Sequence, residues 1–103
     1  MITAEEAEAA GREGGGPLWP PMLVEIEPTG SEGGNVVWEW HAWDHMVQNV
    51  DSSLPNFGGP ANHPTKFNLN FGQVTGGGFP GGNAGGDWFH CNAIAYHPGL
   101  DLL

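Results

Sequence analysis

Near its end the chain reads Asp87-Trp88-Phe89-His90-Cys91-Asn92, which sets a carboxylate, an imidazole and an amide just ahead of the alternating run Ala93-Ile94-Ala95-Tyr96. These side chains suit the handling of an anion. An imidazole and a carboxamide both donate hydrogen bonds to charged oxygens. A carboxylate three residues upstream can hold the imidazole in one tautomer. Positions i and i+2 of an extended segment share a face, so His90 and Asn92 are expected to point the same way, with Cys91 turned away as a small buried apolar group. The plainer alternative is a histidine hydrogen-bonded at a strand end, with Asp87 capping a turn. A Cys91–His90 nucleophile pair is disfavoured, because neighbours on a strand diverge.

A second cluster lies at His41, Asp44 and His45. On a helix the two imidazoles, at i and i+4, could face one metal ion. With no defined third ligand, solvated or hydrogen-bonded histidines are the simpler expectation, and no metal or other cofactor is assigned. His63 and His97 each precede a proline, which biases them to extended conformations at turns. Trp38, Trp40 and Trp43 could stack on an aromatic or sugar ligand, although alternating tryptophans more often pack a sheet. The glycines of 76–86 make no phosphate loop, since no Gly-Lys-Ser/Thr follows them.

The elements that must position these groups are short. Residues 2–13 form a short helix or a linker, with Thr3 and Glu6 spaced as a capping box, although a face made almost wholly of alanine has little to bury. Met22 to Glu27 alternates as a strand, with Met22, Val24 and Ile26 on one face. Val36-Val37-Trp38-Glu39-Trp40 alternates again and puts Val36, Trp38 and Trp40 together. The turn residues 28–34 join the two into an antiparallel hairpin over 22–40. A lone hairpin is marginal in water and needs neighbouring strands. His41 to Val50 could form a short helix with Trp43, Met46 and Val47 on one side. It opens a long loop, 41–86, in which Phe57, Phe67, Phe71 and Phe79 argue against a plain flexible linker. Strand character returns over 87–96, so the class is mainly β.

Composition narrows the function. Glycine (18) and proline (9) make up about a quarter of the 103 residues, set against five tryptophans and five phenylalanines. Ten such aromatics, at about 150–250 Å² each, predict an incomplete core rather than a disordered tail. Twelve acidic residues face only Arg12 and Lys66, a net charge of -10. Such a surface repels nucleic acid and anionic membrane, so neither is an expected partner. No run approaches the ~20 apolar residues of a membrane span, and no secretory leader opens the chain. The single cysteine excludes an internal disulfide.

The run Trp38-Glu39-Trp40-His41-x-Trp43-Asp44-His45-x-Val47-Gln48, the Ala61-Asn62-His63-Pro64 stretch and Asp87-Trp88-x-His90-x-Asn92 together resemble bacterial arylsulfotransferases of the aryl-sulfate sulfotransferase type. The resemblance spans roughly 2–103. It implies that the chain, 1–103, is a partial propeller domain: a fragment of a six-bladed β-propeller with about one blade, a long inter-blade loop and the start of the next blade. The hairpin would be the outer part of one blade, 41–86 would cross the funnel mouth, and 87–103 would carry the inner strand of the next blade. Members of this family move a sulfuryl group from a phenolic sulfate to a phenol through a sulfohistidine.

Carried onto this chain, the resemblance makes His90 an active-site histidine that binds the sulfuryl group, with Asn92 and Asp87 beside it and Asp44 and His45 lining the funnel. The nucleophilic histidine would come from a later blade, so the isolated chain is expected to be inactive. Ala93, where the family often has serine, and the glycine-rich 72–86 loop are departures that bear on the substrate. Expected partners are a small-molecule aryl sulfate and phenol and the remainder of the propeller, in a periplasmic or extracellular setting. The rival readings are a non-catalytic propeller for ligand binding or scaffolding, a metal site on His41, Asp44 and His45, and a truncated product with no function of its own.

Overall fold

The computed structural model describes residues 1–14, 16–71, 88–89 and 91–103. The order of elements is α1 (Ala4–Ala9), β1 (Met22–Thr29), β2 (Gly33–His41), a 3-10 turn (Ala42–His45), β3 (Met46–Val47), a second 3-10 turn (Pro60–Asn62) and β4 (Phe67–Asn68). Strands outweigh helix, as a mainly β class requires. They form two two-stranded sheets, β1 with β2 and β3 with β4, and no closed sheet is present among the described residues.

The helix α1 forms because its first turn is capped from both directions. Thr3 Oγ1 accepts from the Glu6 amide at 3.1 Å, and Glu6 Oε2 accepts from the Thr3 amide at 2.7 Å. Two amides that the helix cannot satisfy internally are thereby paired. Before the helix, Ile2 exchanges two backbone hydrogen bonds of 2.8 Å with Leu18. These contacts seat Ala7 in the core, so the alanine face does find something to bury. A small side chain there lets the helix approach its neighbours closely.

The hairpin is antiparallel, with Met22 opposite His41 and Thr29 opposite Gly33. The strands run further into the turn segment than its Gly, Pro and Ser content suggests. Leu23 pairs with Trp40 and Glu25 with Trp38, but Ile26 pairs with Val36, which leaves Val37 as the extra residue of a bulge. One inserted residue shifts the alternation. Val36 therefore joins the face of Val24 and Ile26, while Trp38 and Trp40 share the face of Leu23 and Glu25, and the expected Val36–Trp38–Trp40 row is divided. Ile26, Val36, Val37 and Trp38 are all exposed, so apolar side chains reach solvent on both faces of this sheet.

The helix expected over 41–50 is replaced by two other structures. His41 is the last residue of β2, so only Ala42–His45 is left to turn, and it does so as a 3-10 helix. Met46 and Val47 then pair in parallel with Phe67 and Asn68. A backbone partner some twenty residues away outcompetes a local helical pattern. Likewise, of the strand expected over 87–96, the described residues 91–96 join no ladder. Alternation can mark a strand-competent segment, but only a neighbouring backbone makes it a strand.

The core gathers Ala7, Leu18, Ala42, Met46, Leu69 and Trp88, with Trp40, Trp43, Phe67 and Phe89 packed against it. It thus joins the helix, the start of β1's lead-in, the 42–47 turn and the chain around Trp88.

Candidate functional site

The site is built on a polar scaffold that no local pattern announces. Gln48 is fully buried. Its Oε1 accepts from the amides of Val50 and Asp51 at 2.7 and 2.8 Å, and its Nε2 donates to the Asp51 carbonyl and Asn56 Oδ1 at 2.8 and 3.0 Å. A primary amide has two donor hydrogens and one carbonyl oxygen, so this side chain is saturated. Asn56 passes the connection on by donating to the Ala10 carbonyl at 2.8 Å, and Asn70 donates to the Gly11 carbonyl at 3.0 Å. Gly11 has φ +94°, and a Cβ there would lie 2.7 Å from Gln48 Cδ. Glycine is needed on both grounds.

The next residue, Arg12, turns inward and is only 7% exposed. Its Nη1 donates to the Leu69 carbonyl at 3.1 Å, and its Cζ stands 5.4 Å from the centre of the Trp88 ring. Burial pulls its pKa below the ordinary arginine value. Trp88 is itself buried and donates from Nε1 to the Phe71 carbonyl at 3.0 Å. Phe89 follows with φ +59°, packed against Trp88 and Phe67 at ring-centroid distances of 4.3 and 5.0 Å.

Beyond this anchor lies an open groove of about 990 Å³. Trp19, Met22, Leu23, Trp40, Phe67 and Phe89 form its apolar walls, and Pro21, residues 91–95 and Leu103 complete it. Asn92 is exposed on this lining and brings an amide to an otherwise largely apolar slot. Cys91 is exposed and lines the same groove, contrary to its expected burial. The reason is the missing ladder: without a pleat fixed by pairing, adjacent side chains are not forced to opposite faces. Such a groove can hold a flat ring by stacking while a donor meets an oxygen at its edge.

The other expected site residues separate. His45 is half-buried and stacks on Trp40, with ring centroids 5.1 Å apart and planes 17° apart, so it backs a groove wall without lining the groove. Asp44 is exposed and borders a smaller cavity of about 250 Å³ with Trp43, Asn56 and Lys66. His41 ends β2 with Nε2 3.4 Å from Glu39 Oε2. No shared helix presents His41 and His45 to one ion, and no group of three metal-ligating side chains gathers among the described residues. His90 and Asp87 lie outside the described residues. Of the groove's makers, Trp19, Phe67 and Phe89 were not singled out as site residues. The one signal pointing to them is the unusual aromatic content of segments that otherwise read as loops.

No described helix is long and apolar enough to cross a membrane. No curated protein and no solved structure matches the chain. Residues 3–103, however, match the sequence profile of the arylsulfotransferase (ASST) family. The chain therefore belongs to the arylsulfotransferase family, whose function is of the aryl sulfotransferase type on small-molecule substrates.

Proposed function

We propose that this chain forms part of a propeller-type aryl-sulfate sulfotransferase, in which the groove seats the aromatic ring of a phenolic sulfate and His90 and Asn92 bind its sulfuryl oxygens. The observation that carries this reading is the groove itself, with tryptophan and phenylalanine walls and Asn92 on its lining. Asp87 would orient the His90 imidazole, and His45 would stiffen the Trp40 wall from behind. Asp44 is on a separate cavity and has a lesser part, at the rim.

In the first half-reaction the bond between sulfur and the donor phenol's oxygen breaks, the phenolate leaves, and an N–S bond forms on a histidine. In the second, the acceptor phenol's oxygen attacks sulfur, the N–S bond breaks and the phenolic proton is released. Both transition states carry negative charge on the sulfuryl oxygens, which preorganised donors stabilise. The nucleophilic histidine belongs, in this reading, to another blade of the propeller. The apolar hairpin open on both faces supports that, since two strands alone leave such surface uncovered. The isolated chain is therefore expected to transfer nothing. A periplasmic or extracellular setting belongs to the same reading and is checked by cell fractionation.

The test is transfer from 4-nitrophenyl sulfate to a phenol by the complete propeller, with and without His90→Ala. The variant should lose transfer by about 10²-fold or more, as the removal of one oxyanion donor does elsewhere. Unchanged transfer would remove His90 from the site. Binding of the sulfate with no labelled histidine would instead identify a non-catalytic binding propeller.

A further inference from the structure

We infer that Arg12 is a positioning residue for the groove: it clamps Trp88, and through Trp88 sets where Phe89 and Asn92 enter the lining. The inference rests on the reading of the groove as the aryl sulfate site. Four observations carry it.

Arg12 is buried, yet no acid pairs with it among the described residues, and its Nε has no hydrogen-bond partner. In a chain with twelve acidic residues against two basic ones, this guanidinium meets no carboxylate among the described residues. A desolvated cation is costly unless its surroundings compensate for the lost water. Among the described residues it meets the Leu69 carbonyl and the Trp88 ring, and a guanidinium over an indole face is a favourable contact.

Trp88 is held from a second direction as well, by its indole hydrogen bond to Phe71. Arg12 and Phe71 therefore pin one side chain from two parts of the chain distant from it in sequence. Immediately after that pin, Phe89 adopts a left-handed backbone conformation, which is unfavourable for a bulky residue and persists only where its neighbours hold it. Phe89 and Asn92 then line the groove, so the direction in which the chain leaves Trp88 decides where the Asn92 amide stands. Misplacement of a binding group by about 1 Å can cost on the order of 10²-fold in rate.

The experiment compares Arg12→Met and Arg12→Lys with the unaltered protein and with Val47→Ala, a core change outside the groove. Two quantities are read: hydrogen exchange of the Trp88 indole N–H, and affinity for 4-nitrophenyl sulfate. Arg12→Met should speed indole exchange and weaken the sulfate by about tenfold each, because a cation–π contact and a charged hydrogen bond are lost together. Arg12→Lys keeps the charge but not the flat stacked face, and should restore neither. Val47→Ala should lower the denaturation midpoint and leave both readouts in place. Indole exchange unchanged in Arg12→Met, or both readouts restored by Lys, would overturn the inference. Failure of the unaltered protein to bind the sulfate would instead remove the aryl sulfate reading, and indole exchange would still decide whether Arg12 holds Trp88.

Discussion

His45 stacks on Trp40 with ring centroids 5.1 Å apart and planes 17° apart, and Trp40, but not His45, lines the groove. A stacked aromatic pair contributes about 0.5–1.5 kcal/mol beyond its buried area. If His45 acts by bracing Trp40, His45→Phe should keep the affinity for 4-nitrophenyl sulfate, and His45→Ala should weaken it by roughly two- to tenfold. Equal losses in both variants would mean that the imidazole's own nitrogens are used. Equilibrium binding to the protein distinguishes the two.

Gly11 and Gln48 are coupled by the absence of a side chain. Gly11→Ala should destabilise the protein by about 1–3 kcal/mol, from a Cβ meeting the buried amide and from the positive φ. Gln48→Ala alone leaves the Val50 and Asp51 amides without their acceptor, at about 1–3 kcal/mol for each group that stays buried. The double variant should be less damaged than the sum of the two, since truncating Gln48 removes the clash but not the backbone strain. Urea denaturation midpoints of the four proteins close the cycle.

The Thr3–Glu6 capping box makes α1 sensitive to acid. Hydrogen bonds from Thr3 lower the folded-state pKa of Glu6. A carboxylate with a depressed folded value contributes fully above its unfolded pKa, and the contribution disappears as pH falls through the folded one. Protection of the Thr3 amide from hydrogen exchange should therefore decline on acidification below the ordinary glutamate range. In Glu6→Gln, where an amide oxygen can still accept the bond, that decline should vanish.

Tyr96 donates to Asp101 Oδ1 at 2.7 Å, and this bond, with lesser help from Glu25, raises the phenol's pKa. The bond favours the protonated phenol, so what it contributes is present below the unfolded tyrosine pKa and is lost as pH rises through the raised folded value. Tyr96 is the single tyrosine, so phenolate absorbance reports it directly. Asp101→Asn should bring the titration midpoint down towards the ordinary tyrosine value.

The capping box, the hairpin and the mainly β class were legible because each is a local pattern: a spacing of three, an alternation of two, a turn rich in glycine and proline. The family was legible for a related reason, since its signature is a set of residue types at set intervals. The Val37 bulge was not, because an extra residue in one strand shows only against its partner. Nor was the replacement of a helix over 41–50, which depends on Met46 and Val47 meeting Phe67 and Asn68.

What the sequence determined by itself, then, is the chemistry on offer: few cations, many aromatics, and a histidine, an amide and a carboxylate within six residues. The tertiary structure decided which of these meet. It put Asn92 and Cys91 in one groove, set Asp44 on a separate cavity and His45 against Trp40, and buried Arg12 against Trp88. Those outcomes depend on contacts between residues up to 76 positions apart in the numbering of Arg12 and Trp88. No periodicity encodes such contacts, because they arise only when the core closes and polar groups must find partners inside it.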